Sequence, residues 1–323
     1  MMNNPYNILA IDHGNHSIKT PNTMFLTGLR SYGTAPQLAE QYLTYGKRYW
    51  VRTGDVPAYT PDKTQTEDLM VYTLFAMHEE AASGNLDLSK PINLAVGLPP
   101  KHMGLYKRAY LSYFADRKDV RLIVNGNPGK DITLGKVRVY PQGWAAMMAA
   151  RMTDLPSEYL SFPSYILVDI GGRTVDVILM RDGLPVADQS SSLEGSILGM
   201  EGRMISAITE ECGKRMMYRT IEDILLGRPN IYTMPNAPEI AGKIFSIIRH
   251  EKRELARQIV NKVNETIPDA TSLPWVFEGA GTKMIEEELK KDPNLSPAVE
   301  YLTDPHLNAK GYFCVMDREL RGV

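Results

Sequence analysis

The chain alternates short apolar runs with amphipathic stretches, and two of the runs share one design. Ile8-Leu9-Ala10-Ile11 ends in Asp12-His13-Gly14, and Ile166-Leu167-Val168 ends in Asp169-Ile170-Gly171-Gly172. A short apolar run bounded by glycine reads as a buried strand, with the glycine marking a tight turn into a partner. The partners follow at once, Ser17-Ile18-Lys19 after the first turn and Thr174-Val175-Asp176-Val177-Ile178-Leu179-Met180 after the second. The repetition suggests two related half-molecules, each offering an acid and a glycine turn.

Residues 20–62, rich in Tyr, Gly, Pro and Thr with short extended pieces such as Tyr49-Trp50-Val51-Arg52, read as a small strand-poor subdomain or a long connecting loop. Thr64-Gln65-Thr66-Glu67 has capping-box spacing and predicts a helix over 65–83, with Leu69, Tyr72, Thr73, Ala76 and Met77 along one face. Strands are expected at 91–98 and 120–124, a helix at 103–116, and another strand or a hairpin at 131–140. Pro141-Gln142 then opens a helix over 143–152, since proline lacks an N–H that would have no partner there. In the second half a Ser/Gly-rich segment, 190–200, leads into a helix reaching Cys212. Residues 228–237 form a Pro- and Asn-rich linker. A long helix covers 238–266, and its charge run Arg249-His250-Glu251-Lys252-Arg253-Glu254 is a solvated face. Trp275-Val276-Phe277-Glu278-Gly279-Ala280-Gly281 is a third apolar run entering a glycine turn, followed by helices at 283–290 and near 306–316.

At 323 residues the chain exceeds the usual single-domain size, so two domains are expected. Its 43% hydrophobic and 23% charged residues are those of an ordinary soluble protein. A net charge of −2 argues against direct nucleic acid binding through a basic field. Cys212 and Cys314 match no metal spacing and read as buried small apolar groups in a reduced, cytoplasmic compartment. There is no basic leader, no run near the ~20 apolar residues of a membrane span, and no terminal basic amphipathic helix, so no membrane association is expected.

Glycine turns present consecutive backbone N–H groups that hold phosphate oxygens. Lys19 would add a point charge against a β- or γ-phosphate. Asp12 and Asp169 would sit on opposite walls and touch Mg²⁺ through water, since that ion gives up its hydration reluctantly. Gly279 and Gly281 would let the backbone pass close to a ribose and α-phosphate. Gln142 would orient a water in line with the γ-phosphorus; an amide is too weak a base to take the proton, so slow hydrolysis is expected. Each feature alone has a structural reading: one strand–Asp–glycine turn is common, and His13 and His16 lack the third ligand of a metal site.

The order of these pieces carries a resemblance. Asp12-His13-Gly14-Asn15-His16-Ser17-Ile18-Lys19 resembles the first phosphate motif of the actin-like ATPase superfamily, and Val139-Tyr140-Pro141-Gln142-Gly143-Trp144-Ala145-Ala146 its first connecting motif. Asp169-Ile170-Gly171-Gly172-Arg173-Thr174-Val175-Asp176 is similar to the second phosphate motif, and Phe277-Glu278-Gly279-Ala280-Gly281 to the adenosine motif. The compact length and Leu94-Ala95-Val96-Gly97-Leu98-Pro99 look most like the ParM/StbA plasmid-segregation proteins.

That resemblance implies an α/β, actin-like (ribonuclease H-like) two-domain fold, with duplicated mixed sheets flanked by helices around a nucleotide cleft. Residues 1–160 would form domain I, carrying the small subdomain at about 20–62, with a C-terminal helix at about 306–323 packing back on it. Residues 161–305 would form domain II, with a helical subdomain at about 213–270. The cofactors implied are ATP or GTP with Mg²⁺. Asp12 and Asp169 would serve the metal; Gly14, Asn15, His16, Lys19, Gly171, Gly172, Arg173 and Thr174 the phosphates; Gln142, with Asp169, the catalysis; and Gly199, Gly279 and Gly281 the nucleoside. The implied partners are further copies of the chain in a filament and a DNA-binding adaptor protein. The sequence departs from the pattern in three places: Gln142 stands where ParM proteins often carry Glu, His16 where Ser or Thr is usual, and Glu278 where glycine is usual. A small-molecule kinase on the same fold is the alternative. It would need an additional Asp base, and Asp55 is the only acid between 41 and 61.

Overall fold

The computed structural model describes residues 4–55, 58, 60–152, 161–228 and 238–322. The chain divides into two compact units, Met1–Pro156 with Pro305–Val323, and Ser157–Asp304.

The first unit is built on β1 (Ile8–His13), every residue of which is buried. It is followed by β2 (Ser17–Lys19), β3 (Met24–Leu26), β4 (Leu29–Tyr32), β5 (Leu43–Tyr45), β6 (Arg48–Arg52), α1 (Asp68–Ala82), β7 (Ile92–Leu98), α2 (Pro100–Ala115), β8 (Asp119–Val124), β9 (Lys130–Pro141) and α3 (Trp144–Met152). The strands make one sheet in the order β3-β2-β1-β7-β9-β8-β5-β6-β4. β7 runs parallel to both β1 and β9, so these three strands end at one edge. Side chains alternate across a strand, and β1 uses both faces. Leu9 and Ile11 pack with Phe75 of α1 and Phe114 of α2. Ile8 and Ala10 pack with Ala145 of α3 and with Tyr312 and Phe313 of the C-terminal helix, Leu307–Arg321.

The second unit contains β10 (Ser164–Ile170), β11 (Thr174–Arg181), β12 (Leu184–Glu194), α4 (Ile197–Cys212), α5 (Tyr218–Leu225), α6 (Pro238–Thr266), β13 (Trp275–Glu278), α7 (Thr282–Leu289) and β14 (Val299–Tyr301). Its sheet runs β12-β11-β10-β13-β14, with the first three strands antiparallel and the last three parallel. The same order and the same directions occur at β3-β2-β1-β7-β9. The duplication expected from two aspartate turns therefore extends to five strands. Ile166, Val168 and Ile170 pack beneath Met200 and Met204 of α4 and Leu255 and Ile259 of α6.

Several local expectations are corrected. Residues 20–62 are not strand-poor, because β3 to β6 lie among them and β5 pairs with β8 to lengthen the main sheet. The β5–β6 hairpin turns on Gly46 and Lys47, both with positive φ (58° and 63°), as a two-residue turn of matching twist demands. Thr64 and Glu67 form no capping box. Asp62 instead accepts the Thr64 N–H at 3.0 Å and caps a 3₁₀ turn over Lys63–Gln65. α1 starts only at Asp68, where the Tyr113 hydroxyl accepts the Met70 N–H at 3.2 Å. Pro141 closes β9 rather than opening α3, and Gly143, at φ 69°, makes the turn between them. Ser190, Ser191 and Ser192 belong to β12, where tertiary partners hold them: the Ser191 hydroxyl is 2.7 Å from that of Thr266, and Ser192 donates to Asp176. Both cysteines are half-buried rather than buried. The expected linker falls almost wholly outside the described residues.

Candidate phosphate-binding turns

In the first unit Asp12 stands opposite Lys19 in the β1–β2 register. Lys19 Nζ lies 3.3 Å from Asp12 Oδ2, with both side chains nearly buried. The other carboxylate oxygen accepts from Gln142 Nε2 at 2.9 Å. Gln142 is one residue beyond β9, held by its own N–H to the Leu98 carbonyl at 2.8 Å. Asp12 and Gln142 therefore share the carboxyl edge of three parallel strands, where open α/β sheets bind ligands. A Cβ on Gly14 would lie 2.5 Å from the Ser17 carbonyl oxygen, so only glycine lets this turn close.

The carbonyls of the turn are tied back one after another. Lys63 Nζ donates to the His13 carbonyl and, at 3.1 Å, to that of Gly14. The Thr27 hydroxyl is 2.9 Å from the Asn15 carbonyl and 3.0 Å from that of His16, which also accepts the Thr27 N–H. In a trans peptide a carbonyl and the following N–H point in opposite directions. The N–H groups of Gly14, Asn15 and His16 are thus turned away from Lys63 and Thr27, the arrangement of an anion-binding concavity. Both histidines are neutral at pH 7. Burial, then the Lys63 charge, lowers His13 to about 3, and burial, then Lys19, lowers His16 to about 4. Positive charge at this turn comes from the lysines.

The second unit repeats the device. Asp169 is half-buried near the end of β10, opposite Asp176 on β11 and Glu278 on β13. Gly279 has φ 91°, and a Cβ there would lie 2.5 Å from Asp169 Oδ1. The Gly281 N–H donates to the Ile170 carbonyl at 2.9 Å, folding the third glycine turn against the second. The carbonyl of Gly171 accepts from the Ser196 hydroxyl at 2.7 Å, and that of Gly172 from the Leu198 N–H at 2.8 Å. The carbonyl of Arg173 accepts from the N–H groups of Gly195 and Ser196. The start of α4 thereby directs the N–H groups of Gly172, Arg173 and Thr174 outward. Gly199 sits half-buried in the first turn of that helix.

Among the described residues no three His, Cys, Asp or Glu side chains form a metal-binding group. A Mg²⁺ ion that keeps its waters and leans on phosphates needs only one or two carboxylates. Asp12, with one donor on each oxygen, retains lone pairs for such waters. The residues present fit a nucleotide-borne ion held through water. Sequence reasoning missed the residues behind the turns. Ser196 lay visible in its Ser/Gly segment just before a helix, but nothing in the pattern of 20–63 marked Thr27 or Lys63.

Two sheets sharing a five-strand order, each with an aspartate and a glycine turn at the end of its central strand, define the actin-like fold. Residues 10–144 match the family model for the N-terminal domain of actin-like proteins. The chain is similar to an archaeal actin homologue, Ta0583, at 16% identity and a TM-score of 0.77, over 97% of this chain and 99% of that one. It is similar to a ParM from Clostridium botulinum, solved as a 15-stranded filament, at 18% identity and a TM-score of 0.71, over 96% and 99%. The Alp12 filament protein is similar at 14% identity and a TM-score of 0.64, over 97% and 98%. Ta0583 is also known in complex with ADP. Comparison with curated proteins returns no match. The chain has an actin-like fold over both units, and residues 10–144 match the N-terminal domain of actin-like proteins.

Proposed function

We propose that this chain is a nucleotide-dependent, filament-forming protein that drives plasmid DNA segregation, polymerising with bound ATP or GTP and disassembling after hydrolysis. The observation that carries the reading is the contact of Gln142 with Asp12 at the edge of the sheet, beside a turn whose carbonyls are all held back. An amide that could orient water, a carboxylate suited to a hydrated Mg²⁺ and backbone donors suited to phosphate stand side by side there, which supports the reading. The filaments formed by the C. botulinum ParM and Alp12, and the ADP bound by Ta0583, support the self-association and nucleotide parts of the reading.

In this reading Gly14, Asn15, His16 and Lys19 hold phosphate at the first turn, and Gly171, Gly172, Arg173 and Thr174 hold it at the second. Asp12 and Asp169 each accept from metal-bound water, and Gly199, Gly279 and Gly281 border the nucleoside. The bound Mg²⁺ would supply charge compensation at the phosphates. Gln142 orients the attacking water but does not take its proton, so turnover is slow. The net charge of −2 supports an indirect link to DNA, through a DNA-binding adaptor protein.

The test is light scattering with electron microscopy after adding ATP or GTP with Mg²⁺. Filaments that appear with nucleotide and shorten as phosphate is released are the expected result. A persistent monomer that steadily phosphorylates a sugar or carboxylic acid would overturn it in favour of a small-molecule kinase.

A further inference from the structure

Lys63 makes no part of any motif in this sequence, yet its ammonium enters the first turn from behind. It donates to the carbonyls of His13 and Gly14, fifty and forty-nine residues earlier in the chain. It stands in the 3₁₀ turn Lys63–Gln65, whose preceding residue, Asp62, accepts from the Thr64 N–H and hydroxyl and from the Gln65 side chain. This second layer of hydrogen bonds fixes where the lysine begins.

We propose that Lys63 is a positioning residue for nucleotide phosphate: by holding the carbonyls of His13 and Gly14 it aims the N–H groups of Gly14 and Asn15 at the phosphate oxygens. The inference rests on the proposed nucleotide role of the first turn. The physical step is the planarity of the peptide. A glycine turn is free to flip its peptide planes, and a flipped plane would present a carbonyl dipole to an anion. One ammonium on two successive carbonyls blocks both flips. Thr27 does the same for the next two carbonyls without any charge. The second turn is held by hydroxyl and backbone donors at the start of α4. Both turns lead directly into a strand, β2 at Ser17 and β11 at Thr174; the start of α4 holds the carbonyls of the second, and Lys63 and Thr27 hold those of the first.

The experiment measures the Kd for Mg-nucleotide and the melting temperature of the nucleotide-free chain, for the parent and three variants. Lys63→Met is expected to weaken binding about tenfold, because the freed peptide planes must be re-ordered when phosphate binds. The melting temperature should fall by no more than about 4 °C, the cost of the bonds lost from a half-buried lysine. Lys63→Arg, whose guanidinium also donates to two carbonyls, should recover most of the affinity. Thr27→Val should weaken binding roughly threefold, within the range of one neutral hydrogen bond. That loss cannot come from removing a positive charge near phosphate. Unchanged affinity in Lys63→Met overturns the proposal. So does a loss that tracks a fall in melting temperature and is not recovered by arginine, the behaviour of a residue that only supports the fold. If Lys63→Met does not fold, unchanged affinity in Thr27→Val overturns it, and weakened binding with an unchanged melting temperature upholds it. A parent chain that binds no nucleotide at all defeats the proposed function itself, which separates that failure from this one.

Discussion

Gln142 donates its side-chain amide to Asp12 at 2.9 Å, across 130 residues of chain. The contact exists because β1 and β9 both lie parallel to β7 and end at the same edge. If Gln142 orients the hydrolytic water, Gln142→Ala removes that role and leaves the phosphate contacts in place. We expect turnover to fall by about 10- to 100-fold, within the range of a lost positioning group, with assembly intact and filament lifetime prolonged. Phosphate release and light scattering followed together check this, and equal disassembly rates in mutant and parent would remove Gln142 from the mechanism.

The second turn carries a matching test. Asp169→Ala is expected to weaken Mg-nucleotide binding, read by titration calorimetry with and without Mg²⁺. Loss only in the presence of the metal would tie Asp169 to it; equal affinity under both conditions would exclude that role.

Gly279 combines a φ of 91° with a backbone lying against Asp169. Gly279→Ala faces both the strain of a positive φ and a Cβ 2.5 Å from a carboxylate oxygen. We expect a loss of about 1–3 kcal/mol in urea unfolding, and weaker nucleotide binding because Asp169 must move. A fully stable variant would contradict the backbone geometry.

Lys19 is the only ion-pair partner of Asp12 recorded among the described residues, and both are nearly buried. Removing one member of such a pair leaves the other charge uncompensated. Lys19→Met should therefore destabilise the chain by roughly 3 kcal/mol at pH 7. Replacing Asp12 by Asn in the same chain should recover part of that loss, a double-mutant comparison readable by chemical denaturation.

Glu201 on α4 is fully buried with neither carboxylate oxygen hydrogen-bonded, and burial, then the charge of Glu222, raises it to about 8. The folded chain thus binds more protons than the unfolded chain between the ordinary value of 4.5 and about 8. Stability contributed by the neutral form is lost as pH rises through that window. Glu201→Gln should be more stable than the parent at pH 8.5, by on the order of 2 kcal/mol, and differ little at pH 4.5. His13 has the opposite sign: lowered to about 3, it makes stability fall as pH drops below about 6.5. Thermal melts across pH 4–9 resolve both limbs.

The sequence by itself determined the strand–aspartate–glycine turns, because a buried strand and a tight turn each leave a local signature of apolar residues and glycine. It likewise marked Gln142 and the Gly279-Ala280-Gly281 turn, and from their order the actin-like fold class. Tertiary structure alone decided what those residues touch. The pairing of Asp12 with both Lys19 and Gln142 depends on strand order, which periodicity does not encode. Within 20–62 the extended piece Tyr49–Arg52 was legible and falls in β6, whereas β3 to β5 were hidden because they are only three or four residues long and a Gly-Lys turn is a faint hairpin signal. The expected start of α1 differs from the observed one because Asp62 takes the N–H and hydroxyl of Thr64 and caps a separate 3₁₀ turn over Lys63–Gln65. Lys63 and Thr27 left no sequence signal because their partners are remote. A hydrogen bond from a side chain to a carbonyl some dozen or fifty residues away carries no spacing rule, and only the folded backbone brings donor and acceptor together.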